Sequence, residues 1–207
     1  MKGQYIHYGC GMSAPQEWLN FDCSPTLRFE RLPLIGKLYT KNAQRFPENV
    51  RYGDIVKGLP VQSDSCRGIY CSHILEHLAL DDFSTALQNT FKYLAPGGVF
   101  RLVVPDLEQH ARKYLADASS EASYVFMRES CLGKEHRPRR LRAFLASWLG
   151  NSSHLWMWDE KSMSKQLQAH VFKDIRRAYY HDANDPMFKL VEDSGRFGEC
   201  LGMQCTK

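Results

Sequence analysis

No stretch of the 207 residues approaches the ~20 consecutive apolar positions that a bilayer-spanning helix needs, so no membrane helix is expected. No secretory leader is expected either. Met1-Lys2-Gly3-Gln4-Tyr5 runs almost at once into a strand-like segment, and the expected compartment is the cytoplasm. None of the seven cysteines belongs to a Cys-x-x-Cys pair, and their number is odd. That argues against a zinc ribbon and against a disulfide framework. The net charge is only +4, which argues against a dedicated nucleic-acid binder. Gly-x-Gly-x-x-Gly, the fingerprint of nicotinamide dehydrogenases, is missing. Internal repeats are missing too, and none of these features sets an oligomeric state.

What is present reads as one globular domain over residues 1–207, because 43% hydrophobic and 24% charged residues suffice for a full-sized core. Short strand-like runs occur at 4–8, 18–21, 50–52, 68–71 and 99–104, with later candidates at 171–176 and 201–206. Between them, residues 81–94 place Phe83, Leu87, Phe91 and Leu94 at helical spacing, and Pro96-Gly97-Gly98 stops that helix. Further helices are expected near 107–118 and 161–169. Residues 119–153 read as helical and polar, with a basic knot at 134–142. Strands alternating with helices imply an α/β fold, with a mostly parallel sheet covered on both faces. In such sheets ligands bind beyond the carboxyl ends of the strands.

The residues at those ends carry recognisable chemistry. Gly9 and Gly11 follow the first strand and allow a backbone to approach a ligand closely. Asp22 follows the second and suits the two hydroxyls of a ribose. Asp54 and Ile55 follow the third; the pair can accept from an adenine amine and cover its ring. Ser72-His73-Ile74-Leu75-Glu76-His77 follows the fourth.

Tyr8-Gly9-Cys10-Gly11, Trp18-Leu19-Asn20-Phe21-Asp22, Gly53-Asp54-Ile55, Ser72-His73-Ile74-Leu75-Glu76-His77 and Leu94-Ala95-Pro96-Gly97-Gly98 resemble the successive motifs of class I S-adenosylmethionine-dependent methyltransferases, in particular small bacterial members. The resemblance spans roughly residues 4–110. It implies a Rossmann-like sheet of about seven strands with a C-terminal antiparallel strand, and S-adenosylmethionine as cofactor. By the same resemblance Gly9, Cys10 and Gly11 line the methionine part, Asp22 binds the ribose, Asp54 and Ile55 the adenine, and Ser72 lies near the sulfonium.

The chain departs from that pattern in three places. His7 replaces the acidic residue usual before the glycines, Ser13 stands near the place of a third glycine, and only ten residues separate Gly11 from Asp22. The helix between the first two strands is therefore expected to be short or missing, with Arg28 or Arg31 supplying the lost anion contact.

His73 and Asp106, at the ends of the fourth and fifth strands, are the candidates for a general base. Asp106 equally suits a helix cap. Residues 119–158 are expected to form an acceptor-facing lid, with Arg140, His154 and Trp156 as acceptor contacts and a small-molecule or glycan-type acceptor. Trp148, Trp156 and Trp158 equally suit core packing. His73, Glu76 and His77 also match a His-x-x-Glu-His zinc pattern, and a zinc hydrolase is one alternative. No third ligand stands out downstream, so no metal is expected. A non-enzymatic module with a degenerate methyltransferase fold is the other alternative.

Overall fold

The structure, a computed structural model, describes residues 3–33, 36, 44–136 and 153–207. Among these, seven strands form one sheet: β1 (Gln4–Tyr8), β2 (Leu19–Asp22), β3 (Val50–Tyr52), β4 (Cys66–Ser72), β5 (Leu94–Pro105), β6 (Lys173–Ala178) and β7 (Cys200–Thr206). The order across the sheet is β3-β2-β1-β4-β5-β7-β6. β1 to β5 run parallel, and β7 lies antiparallel between β5 and β6. This is the expected Rossmann-like methyltransferase arrangement. The chain steps outward from β1 to β3 and then returns to β4 beside β1. That reversal opens a crevice at the carboxyl ends of β1 and β4.

Alternation along the strands sorts side chains between two faces. Ile6, Tyr8, Ile69, Cys71, Phe100, Leu102 and Val104 face the main core. That face is covered by α2 (Leu80–Tyr93) and α5 (Glu160–Ala169). Phe83, Ala86, Leu87, Met163 and Leu167 are fully buried there. Helix α5 starts at a capping box, in which Asp159 and Ser162 each satisfy the other's backbone N–H. On the second face Tyr5, Trp18, Tyr70 and Val103 pack against Phe188 and Val191. Those two come from the 3-10 turn Pro186–Leu190 and the residue that ends it, and α6 (Ser194–Phe197) follows. Helices α1 (Pro25–Glu30), α3 (Leu107–Ala116) and α4 (Ala122–Glu129) complete the described set. α3 buries no side chain; it meets α4 through His110 and Tyr114 against Phe126.

Several expectations are corrected. β5 begins at Leu94, which pairs with Cys66 before Val99 pairs with Gly68, so residues 95–98 bulge from the ladder. Gly97 takes φ +75° there, a conformation open to glycine at no steric cost. β6 starts at Lys173 and not at Val171, because Val171 has φ +61° and belongs to the turn after α5. Of the residues 119–153 read as helical, α4 accounts for 122–129, and 137–152 lie outside the described residues. Residues 9–18 form turns with no helix, as the short spacing implied.

Candidate active site

The glycine loop and the first strand-end acid are joined directly. Gly9 and Gly11 take φ +66° and +54°. A Cβ on Gly9 would stand 2.1 Å from Ile74 Cδ1, so the loops after β1 and β4 can approach only without a side chain there. A Cβ on Gly11 would meet nothing within 4 Å. The Gly11 N–H donates to Asp22 Oδ2 at 3.0 Å, and the Ser24 N–H to Oδ1 at 2.8 Å. Each oxygen keeps a free lone pair for a further donor. Cys10 points away from the crevice, buried with Leu27 and Val50. Burial, then the charge of Asp22, pushes its thiol up to about 12. It contributes backbone only.

After β3, Asp54 Oδ1 accepts the Val56 N–H at 3.0 Å, while among the described residues Oδ2 has only the exposed Lys57 at 3.5 Å. The Ile55 side chain lies in the main core at 5% exposure, so it underlies this turn and does not offer a free face to an adenine ring. Helix α2 clamps the turn from below. Asn89 Nδ2 donates to the Ile55 and Val56 carbonyls at 2.8 and 3.2 Å, and the Tyr93 hydroxyl accepts the Leu59 N–H at 2.7 Å.

Ser72 ends β4, buried, with its hydroxyl free of any hydrogen-bond partner. The guanidinium of Arg196, exposed on α6, reaches the Ser72 carbonyl at 3.5 Å. The two expected anion contacts are engaged elsewhere. Arg31 donates to the Pro47 carbonyl at 2.6 Å, and Arg28 stacks on Tyr52 with its centre 4.9 Å from the ring. Arg196 is thus a cation that the fold brings to the Ser72 end of the crevice, and sequence reasoning missed it.

His73 has φ +55°, sparsely populated for a residue with a side chain. Its Nδ1 lies 3.2 Å from Glu76 Oε1, and its Nε2 lies 3.7 Å from Cys200 Sγ. Burial opposes its charge, but the contacts with Cys200 and Glu76 outweigh that and hold its pKa up at about 10. An imidazole already protonated at neutral pH cannot accept a proton, which argues against His73 as the base. Asp106 is also committed. It caps α3 by accepting the Glu108 and Gln109 N–H groups, and it pairs with Arg177 at 2.9 Å. The capping reading of Asp106 fits this geometry, and the general-base reading does not.

Of the expected acceptor contacts, Arg140 lies outside the described residues, as does Trp148. His154 and Trp156 sit on a strap beside the turn Leu75–His77, because the Leu155 and Trp156 N–H groups both donate to the Glu76 carbonyl. Burial holds His154 below the ordinary imidazole range, against the pull of Glu76. Trp156 is exposed, whereas Trp158 stacks on Phe83 at 4.2 Å within the core. A cavity of about 360 Å³, lined in part by Arg67, Pro96, Asp185 and Thr206, lies at the opposite end of the sheet and touches none of these residues.

A family described as "Methyltransferase domain" matches residues 14–176. No curated protein matches the chain. Solved structures share the fold. An S-adenosylmethionine-dependent methyltransferase from Archaeoglobus fulgidus is 12% identical at a TM-score of 0.53, over 99% of this chain and 86% of that one. One from Methanosarcina mazei is 14% identical at 0.52, over 99% and 92%. One from Thermotoga maritima is 12% identical at 0.52, over 100% and 83%. With 163 of its 207 residues inside the family match, this chain belongs to the methyltransferase domain family and is an enzyme.

Proposed function

We propose that the chain transfers the methyl group of S-adenosylmethionine to a small-molecule or glycan-type acceptor, with this donor bound across the carboxyl ends of β1 to β4. The observation that carries this reading is the Gly11–Asp22 contact, which sets a backbone loop and a ribose-binding carboxylate side by side. In this pose the open side of Gly11 meets the methionine part, and the remaining lone pairs of Asp22 take the ribose hydroxyls. Asp54 Oδ2, held only by Lys57, takes the adenine amine, and Ser72 lies under the sulfonium. Arg196 replaces the missing first helix as partner for the donor's carboxylate.

Methyl transfer is an in-line displacement in which the sulfonium loses its charge. Holding donor and acceptor in line can supply ~7–11 kcal/mol. This chain's contribution is therefore positioning, with neither His73 nor Asp106 free to take a proton. The strap carrying His154 and Trp156 faces the acceptor. Seven cysteines without a disulfide suit a reducing compartment, which supports the cytoplasm. Calorimetry with S-adenosylmethionine and S-adenosylhomocysteine tests the pose. Binding that weakens at least tenfold in Asp22→Ala supports it; no binding, or unchanged binding, removes it.

A further inference from the structure

Glu76 is the most deeply placed carboxylate beside the crevice, at 0% exposure, and neither of its oxygens receives a well-directed hydrogen bond. A buried carboxylate is costly, and proteins resolve that cost by pairing or by metal coordination; His73 engages Oε1 at 3.2 Å, and Oε2 has no hydrogen-bond partner among the described residues. His77 Nε2 and His154 Nε2 each lie 4.0 Å from Glu76 Oε1, and the three ligand atoms fall within 4.8 Å of one another. We propose that Glu76, His77 and His154 bind one divalent first-row transition-metal ion, such as zinc, cobalt or manganese.

The donor set is two imidazole nitrogens and one carboxylate oxygen, which suits these ions and not calcium or magnesium. Bonds of about 2.1 Å in a tetrahedron set ligand atoms about 3.4 Å apart, so closing the site needs movements of only about half an ångström. The outer contacts are already built. His77 Nδ1 lies 3.1 Å from the Ser153 carbonyl, which fixes its tautomer and leaves Nε2 free to coordinate. The Glu76 carbonyl holds the His154 strap through the Leu155 and Trp156 N–H groups. His77 and His154 keep side-chain exposures of 17% and 10%, so the ion's remaining position opens outward, to water or to a ligand oxygen. His73 stands outside the set and contacts Oε1 at 3.2 Å. The site does not depend on how the methyl donor binds and implies no hydrolysis.

The test uses the full chain, untagged, stripped with a chelator and titrated with cobalt(II), zinc and manganese. Calorimetry and the visible cobalt spectrum are the readouts. The expected result is one ion per chain, with imidazole-type cobalt bands. Affinity falls about a hundredfold or more in His77→Ala and in His154→Ala, and stays unchanged in His136→Ala on the surface. Glu76→Gln and His154→Gln keep the side-chain volume if an alanine variant does not fold, and circular dichroism checks each fold. Absence of binding by all three ions, or equal affinity in the His77 and His154 variants, overturns the site. In that case the two histidines only pack around Glu76.

Discussion

Glu192 Oε1 accepts both Nε and Nη2 of Arg101, at 2.7 and 2.6 Å, in the middle of the sheet's second face. Arg101 is 1% exposed, and it also binds Asp182, Gln204 and the Tyr179 carbonyl. This network fastens the segment that carries Phe188 and Arg196 onto β5. Truncating one member of a buried pair strands the other charge. Arg101→Ala is expected to lose about 3–5 kcal/mol in urea unfolding. A joint replacement of Arg101 by Met and Glu192 by Leu should lose clearly less. Equal losses in the two variants contradict a stranded charge as the cause.

Asp22 has two duties, and its variants separate them. A donor at ~100 times its dissociation constant should add ~2.7 kcal/mol to the wild type, worth ~2–4 °C per kcal/mol in melting temperature. Asp22→Ala also frees the Gly11 and Ser24 N–H groups. It should therefore melt lower without ligand, by about 1–2 kcal/mol, and lose most of the ligand-induced shift. A full shift retained by this variant argues against Asp22 as the ribose contact.

Arg196 can be tested by ligand dissection. Arg196→Ala should weaken S-adenosylhomocysteine at least tenfold and leave 5′-methylthioadenosine, which lacks the amino-acid part, nearly unaffected. Calorimetry with both ligands reads the difference. Parallel losses would mean that Arg196 acts through the fold of α6 and not on the carboxylate.

His7 makes stability depend on pH. Burial, then the charge of Arg196, holds its pKa down at about 3, against 6.5 for an exposed imidazole. Below pH 6.5 the unfolded chain takes up a proton that the folded chain refuses. Stability from this residue is complete above pH 6.5 and falls by about 1.4 kcal/mol per pH unit toward pH 3. His7→Phe should flatten the measured stability profile across that window. An identical slope in wild type and variant assigns the acid sensitivity to other groups.

The strand ends were readable because each is marked locally. A glycine, an acid or a serine follows a short apolar run at Gly9, Asp22, Asp54 and Ser72, and parallel topology then aligns those ends. Helix starts were readable for the same reason, as at Asp106. The side-chain roles were harder. Ile55 and Cys10 stand at ligand-facing positions in the sequence, yet both turn into the core, because small crevice walls need an apolar foundation. Arg196 meets Ser72 across 124 positions, and Ser153 meets His77 across 76. No periodicity reports contacts of that range. They exist because β7 folds back beside β5 and because the His154 strap is tied to a backbone carbonyl. β6 was misplaced by two residues because Val171, a strong strand former, is held in a left-handed turn.

The sheet ends in β3 on one side and β6 on the other. β3 is three residues long, which gives an incoming strand little to pair with. β6 carries Lys173, Asp174, Arg176 and Arg177, and its pairing shifts where Asp174 adopts φ +49°. Short, charged and bulged borders are poor templates for another chain's strand. The long hydrophobic strands β4 and β5 lie inside those borders, where their backbone groups are already paired on both sides.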